Sequence, residues 1–163
     1  MPMPAPSLKG RALRLLGMRE YSRAELERKL KTHEPTPGLL AKALDDLQAR
    51  GFINQQRVVE SVIQRRSAKL GTARIKQELQ SKGLDAGAVL DAVARLQTTE
   101  LDRACAVWRK KFGAPSPVTD STSAASPLER GKQMRFMASR GFSGDTIRRV
   151  VAGASDDQDV MPE

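Results

Sequence analysis

One pattern in this chain of 163 residues recurs at fixed offsets and constrains the fold more than anything else in it. Leu26, Leu30, Thr36, Leu40, Ala43, Leu44 and Leu47 return 49 residues later as Ile75, Leu79, Asp85, Val89, Ala92, Val93 and Leu96. A third copy lies 58 residues beyond the second. There Leu79, Gly83, Leu84, Asp85 and Val89 become Met137, Gly141, Phe142, Ser143 and Ile147. A unit of this length cannot bury its apolar face alone and must stack on its neighbours. Three copies therefore predict an array with an extended binding surface, not an enzyme built around one pocket.

The apolar positions inside each copy follow helical spacing. Hydrophobic content is 39% and aromatic content 4%, so the core rests on Leu, Ala and Val, which suits helices better than a sheet sandwich. A first helix is predicted from Leu8 to Arg19. Ser22 and Glu25 form a capping box for a second, which ends near Thr32. Thr36 is read as the cap of a third, with Pro37 at its first position and Leu39, Leu40, Ala43, Leu44 and Leu47 inward. The second copy reads as helices from Asn54 to Leu70, from Thr72 to Lys82 and from Asp85 to Gln97. The third reads as Thr99 to Phe112, 128–140 and 143–152. Arg50-Gly51-Phe52, Lys82-Gly83-Leu84 and Arg140-Gly141-Phe142 share one logic. The glycine turns left-handed at the helix end, the apolar residue folds back, and the cation meets the negative end of the helix.

The expected organisation is all-α. Three tandem three-helix, helix-turn-helix-like repeats span 8–53, 54–97 and 98–153, forming an elongated, curved right-handed or modular array. Residues 1–7, a Pro/Ser/Thr-rich insert at 113–127 and an acidic tail at 154–163 are expected to be disordered.

Formal charge is +9, from 28 basic and 19 acidic residues. Asp156, Asp157, Asp159 and Glu163 crowd the last ten residues, so the preceding 153 carry +13. An excess of this size favours an acidic partner, such as nucleic acid or an anionic protein surface. From Arg57 to Lys82 the cations are Arg57, Arg65, Arg66, Lys69, Arg74, Lys76 and Lys82, against Glu60 and Glu78. The third copy adds Arg135, Arg140, Arg148 and Arg149, with Arg130 and Lys132 beside them. These cations could merely solubilise exposed helices, but clustering over two copies exceeds what solubility needs. Insertion of a recognition helix into a major groove is disfavoured, because the second helices of the pairs carry Asp45, Asp46, Asp85 and Asp91.

Catalytic constellations are poor. His33 is the only histidine and Cys105 the only cysteine, so neither an ordinary zinc site nor an intrachain disulfide is available. His33 reads as a surface residue at a helix end, and Cys105 as a small core residue among Ala104, Ala106 and Val107. Asp45 and Asp46 are adjacent on a helix and diverge. Trp108 and Phe112, one turn apart, read as core. No phosphate-binding glycine loop is present. Residues 1–7 lack the apolar run of a signal peptide, and no stretch is long enough to span a bilayer. A cytoplasmic, monomeric, non-enzymatic protein without cofactors, metal or membrane contact is expected.

Taken in order, several pieces resemble the RecX family of RecA recombinase regulators. They are Leu15-Leu16, Arg19, Ser22 and Glu25-Leu26…Lys29-Leu30; then Leu47…Gly51-Phe52-Ile53 and Arg65…Lys69-Leu70-Gly71. Ile75…Glu78-Leu79…Lys82-Gly83 and Arg135-Phe136-Met137…Arg140-Gly141-Phe142…Ile147 complete the series. Two positions depart from it. Asn54-Gln55-Gln56 stands where members commonly carry Asp-Asp, and Val58-Val59 where they often carry Phe-Ala. The resemblance implies a helical-repeat protein that binds the RecA–DNA filament. It implies repression of the filament's ATPase, strand-exchange and coprotease activities, and so a role in DNA repair, recombination and the SOS response. DNA itself would be held weakly, single- or double-stranded. The cations expected to make the contact are Arg57, Arg65, Arg66, Lys69, Arg74, Lys76 and Lys82, extended by Arg135, Arg140, Arg148 and Arg149. The alternative is a sequence-independent DNA-binding protein that acts without a recombinase.

Overall fold

Most of the helices begin where a cap or a glycine lets them. In the computed structural model, which describes residues 1–113 and 126–153, nine α-helices follow one another without a strand among the described residues. They are α1 (Leu8–Leu16), α2 (Arg23–Leu30), α3 (Leu39–Ala49), α4 (Gln55–Arg66), α5 (Thr72–Ser81), α6 (Ala86–Thr98), α7 (Glu100–Phe112), α8 (Pro127–Ser139) and α9 (Gly144–Val151). The fold is all-α, as the repeat requires. Most of the expected insert, and the acidic tail, lie outside the described residues. Residues 1–6 carry no regular element, and the Ser7 hydroxyl caps α1 by accepting the Gly10 N–H at 3.0 Å.

Local chemistry explains where the expectations hold and where they shift. The Ser22–Glu25 capping box of α2 is present in both directions. A second box, Ser126 with Glu129, opens α8. Ser143 caps α9 through the Thr146 N–H. α3 starts later than expected and without Thr36 as its cap. Gly38, left-handed at φ 95°, takes the N-cap position. The Glu34 carboxylate supplies the missing acceptor, receiving the N–H groups of Gly38 and Leu40 at 2.9 and 3.0 Å. α1 stops at Leu16, three residues early, and α2 tightens into a 3₁₀ turn over Lys31–His33.

All three predicted glycine stops are left-handed: Gly51 at φ 80°, Gly83 at 68° and Gly141 at 89°. The apolar residues after them differ. Phe142 is buried and Leu84 half-buried, whereas Phe52 is 46% exposed and Ile53 turns inward instead.

The helices pack as two compact units. Unit 1 holds Met1–Ile63 with Glu78–Asp91, and unit 2 holds Gln64–Gln77 with Ala92–Glu163. The core of unit 1 is Ala12, Tyr21, Leu26, Leu30, Leu40, Leu44, Leu47 and Ile53. That of unit 2 includes Ala104, Val107, Met137, Phe142, Ile147 and Val150, against which Cys105, Trp108 and Phe136 pack. The repeat is visible in burial. Leu26 and Ile75, Leu30 and Leu79, Leu40 and Val89, and Leu47 and Leu96 are all buried. Leu44 is buried where Val93 is only partly so, and Ala92 where Ala43 is only partly so. The stripe thus turns slightly between copies. Leu39, expected inward, is 43% exposed.

Candidate partner-binding surface

The site begins with a joint that each unit builds once. In unit 1 the start of α2 meets the turn that ends α5. The Ser22 hydroxyl donates to the Lys82 carbonyl at 2.6 Å, and a Cβ on Gly83 would lie 2.7 Å from that of Ala24. In unit 2 the start of α5 meets the turn that ends α8. The Gly71 N–H donates to the Arg140 carbonyl at 2.7 Å, and the Ala73 N–H to the Gly141 carbonyl at 3.2 Å. The repeat offsets carry Ser22 onto Gly71 and Lys82 onto Arg140, so the two contacts are equivalent. Gly71 is there for closeness: a Cβ on it would stand 2.3 Å from backbone atoms of Gly141 and Phe142.

The joints differ in charge. In unit 1 the Glu25 carboxylate receives the Lys82 ammonium at 2.8 Å, an Arg19 guanidinium N–H at 3.0 Å and the Ser22 N–H at 2.8 Å. Burial would raise the Glu25 pKa, but these donors, Arg19 first, hold its carboxyl down at about 2. Both side chains of the Glu25–Lys82 pair are 10% exposed. At the equivalent positions of unit 2 stand Arg74 and Arg140. The Arg74 stem packs against Gly141, where an added Cβ would fall 2.2 Å from its Cγ. The Arg140 guanidinium lies 5.0 Å from the centre of the Phe136 ring, which also carries the Lys111 ammonium at 5.5 Å.

Nine of the eleven cations expected at the partner contact belong to unit 2: Arg65, Arg66, Lys69, Arg74, Lys76, Arg135, Arg140, Arg148 and Arg149. All are exposed except Arg140, which is half-buried. Among the described residues Lys69, Arg74, Lys76, Arg135 and Arg140 make no ion pair, while Arg65, Arg66 and Arg149 have partners within the chain. Arg148 approaches Asp145 at 3.7 Å on an exposed face.

Of the other two cations, Lys82 corrects the expectation and Arg57 does not. Lys82 is 8% exposed with its ammonium on Glu25, so it is part of the joint and not of a surface. Arg57 is exposed but engaged, with Nε donating to Glu20 at 2.9 Å and Nη2 to the Gly51 carbonyl at 2.7 Å. Both were counted as cations by sequence, which does not reveal what waits for them after folding.

Two residues organise unit 2 that no motif announced. Arg103 donates to the carbonyls of Leu70 at 2.6 Å, Leu96 at 2.9 Å and Ser67 at 3.2 Å, and to the Thr72 hydroxyl at 3.2 Å. Burial lowers its pKa, against the attraction of Glu100. Glu100, 7% exposed, accepts the Thr72 N–H at 3.0 Å and the Thr146 hydroxyl at 2.9 Å. Burial works against its ionised form, and these donors outweigh it to hold the carboxyl below its usual range. Together they tie down Ser67, Leu70 and Thr72, the stretch on which Lys69 is displayed and beside which Arg74 stands. The only sequence hint was an acid in the first turn of α7 and a cation three residues on.

No group of three or more His, Cys, Asp or Glu side chains among the described residues could hold a metal ion. His33 is exposed on the 3₁₀ turn and Cys105 half-buried against the core. Trp108 and Phe112 pack at 6.0 Å between ring centres, Phe112 meets Phe136 edge-on at 5.5 Å, and Trp108 Nε1 donates to Gln133 at 3.2 Å. Both rings are half-buried, and Trp108 packs against the core of unit 2. Among the described residues no helix is long and apolar enough to cross a membrane.

Comparison with known proteins gives the same repeat a history. The model of the first three-helix domain of RecX matches residues 9–47, and that of the third matches residues 98–151. A regulatory protein RecX from Leptothrix cholodnii is 49% identical over 156 residues, covering 96% of this chain and 94% of its own. One from Ralstonia nicotianae is 42% identical over 154 residues, covering 94% and 92%. Among solved structures, RecX from Lactobacillus salivarius aligns with a TM-score of 0.69 at 19% identity, over 90% of this chain and 93% of that one. At that identity the likeness speaks for the fold.

Proposed function

The chain belongs to the RecX family of regulatory proteins, and from that premise we propose that it is a negative modulator of the RecA recombinase. It binds the RecA–DNA filament and lowers its ATPase, strand-exchange and coprotease activities, and so acts in DNA repair, recombination and the SOS response. It does this in the cytoplasm, as a monomer, by binding alone and without catalytic residues. The three repeats at 8–53, 54–97 and 98–153 are the modules of that binding.

The observation that carries this reading is the concentration of exposed cations in unit 2. Its described residues hold sixteen cations against four acids, whereas unit 1 holds twelve against ten. A filament on DNA presents protein carboxylates and phosphates together, and a surface of this kind is attracted to both. Lys69, Arg74, Lys76, Arg135 and Arg140 carry the contact, with Arg65, Arg66, Arg148 and Arg149 around them.

The test is RecA ATP hydrolysis on single-stranded DNA with this protein titrated in. Loss of hydrolysis well below one molecule per recombinase subunit is expected. No loss, while the protein still shifts bare DNA, would transfer the assignment to a direct DNA-binding protein that needs no recombinase. That second reading rests on the same excess of cations in unit 2.

A further inference from the structure

The fold uses one joint twice and neutralises it once. In unit 1 the buried ammonium of Lys82 is answered by Glu25. In unit 2 the equivalent positions carry Arg74 and Arg140, and among the described residues no carboxylate pairs with either. The backbone donors of this joint are already spent. The Gly71 and Ala73 N–H groups go to carbonyls of the opposing turn, and the Thr72 N–H goes to Glu100. An anion at this joint would therefore be held by side chains.

We propose that the unit 2 joint is an oxyanion site in which a phosphodiester of a nucleic-acid strand takes the place that the Glu25 carboxylate has in unit 1. Both groups at the joint are guanidinium forks, which match a phosphate through two parallel hydrogen bonds each. The flanking cations suit a polymer that brings charge at regular intervals. Residues 64–77 contain Arg65, Arg66, Lys69, Arg74 and Lys76 and no acid at all. A protein partner would present mixed charges and leave some of Lys69, Arg74 and Lys76 unanswered. Phe136, half-buried beneath Arg140, sets that guanidinium at 5.0 Å over its ring and so limits its freedom before the anion arrives. The bound phosphate clamps the α5 start to the α8 turn, as Glu25 clamps the α2 start to the α5 turn. This deepens the filament reading and rests on it for its setting alone, since a filament holds a DNA strand. The contact with the strand exists without the recombinase.

The experiment titrates the full chain into a fluorescein-labelled single strand of about 20 nucleotides at low salt. Arg74→Glu, Arg74→Gln and Lys42→Glu are compared. Lys42 is exposed on α3, and its reversal changes net charge as much as Arg74→Glu does. Arg74→Glu is expected to weaken binding by about tenfold or more. Arg74→Gln should lower the log–log salt slope by about one. Lys42→Glu should cost less than about threefold. Because Arg74→Glu recreates an acid–base pair with Arg140, its thermal midpoint should equal or exceed that of the parent chain, with helicity unchanged. Equal weakening by Arg74→Glu and Lys42→Glu would reduce the effect to net charge and overturn the site. So would a fall in the midpoint of Arg74→Glu. Unchanged DNA binding by Arg74→Glu, with loss of binding to polyglutamate, would assign the joint to an acidic protein segment instead. No recombinase is in the assay, so failure here and failure of the filament reading are separate results.

Discussion

In unit 1 a carbonyl at the end of α5 receives a serine hydroxyl, and in unit 2 the matching carbonyl at the end of α8 receives a glycine N–H, at 2.6 and 2.7 Å. The geometry is common to both, and what surrounds it is not. Unit 1 closes its joint with the Glu25–Lys82–Arg19 cluster and balances its charges across the surface. Arg23 reaches Asp45 at 2.6 Å and Glu27 at 3.1 Å, and Arg57 reaches Glu20 at 2.9 Å. Unit 2 closes its joint by bringing two glycine backbones together, and apart from Arg103 and the half-buried Arg140 it keeps its described cations on the outside. A single repeated structure has thus been given two tasks, one answered by internal ion pairs and one open to an external anion.

The comparison can be broken most forcefully at the glycines. Gly71→Ala should destabilise the protein by about 3 kcal/mol, because the new Cβ would meet backbone atoms that cannot move aside. Gly83→Ala, where strain at φ 68° adds to contact with Ala24, should cost about 2 kcal/mol. Gly51→Ala, left-handed but with open space around it, should cost about 1 kcal/mol. Urea unfolding checks the order, and an equal cost at all three would show that the close approach in unit 2 is unimportant.

The charge difference predicts an asymmetry of similar size. Glu25→Ala leaves Lys82 buried without its partner and should cost about 3 kcal/mol. Arg74→Ala, at the equivalent position, removes an exposed cation without an ion pair among the described residues and should cost less than about 0.5 kcal/mol. Comparable losses in the two variants would sink the contrast.

A pH series sharpens the same point. The Glu25 carboxyl is depressed from an ordinary 4.5 to about 2. A depressed acid contributes stability that is complete above its unfolded value and is lost as pH falls toward its folded value. Parent-chain stability should therefore drop by roughly 2–3 kcal/mol between about pH 5 and pH 2 from this group. Glu25→Gln should flatten that part of the profile. A profile unaltered by the substitution would mean that the carboxylate is not held as the geometry implies.

Much of the fold was legible because it rests on local rules. The Ser22–Glu25 box, the left-handed glycines at 51, 83 and 141, and the buried stripe shared by Leu26 with Ile75 and Leu30 with Leu79 each follow from spacing alone. The start of α3 was not legible in this way. Its acceptor is Glu34, which lies beyond a turn that propensity does not specify, and so Thr36 looked like the better cap. The surface was legible as a count of cations and not as a map. Lys82 carries the same charge as Lys76, yet only tertiary contact decides that one is buried on Glu25 and the other exposed. Arg103 and Glu100 escaped for the same reason, since all their partners named above except Leu96 lie 28 to 46 residues away in the chain.

The central proposal is that unit 2 carries the regulatory contact. The most direct measurement is inhibition of RecA ATP hydrolysis on single-stranded DNA by two triple variants of equal net charge. One is Lys69→Glu, Lys76→Glu and Arg135→Glu in unit 2. The other is Arg14→Glu, Lys29→Glu and Lys42→Glu in unit 1. All six residues are exposed, and none makes an ion pair among the described residues. The unit 2 variant should lose inhibition by about tenfold or more in the concentration required, while the unit 1 variant stays within about threefold of the parent. Equal loss from both, or greater loss from unit 1, would contradict the assignment.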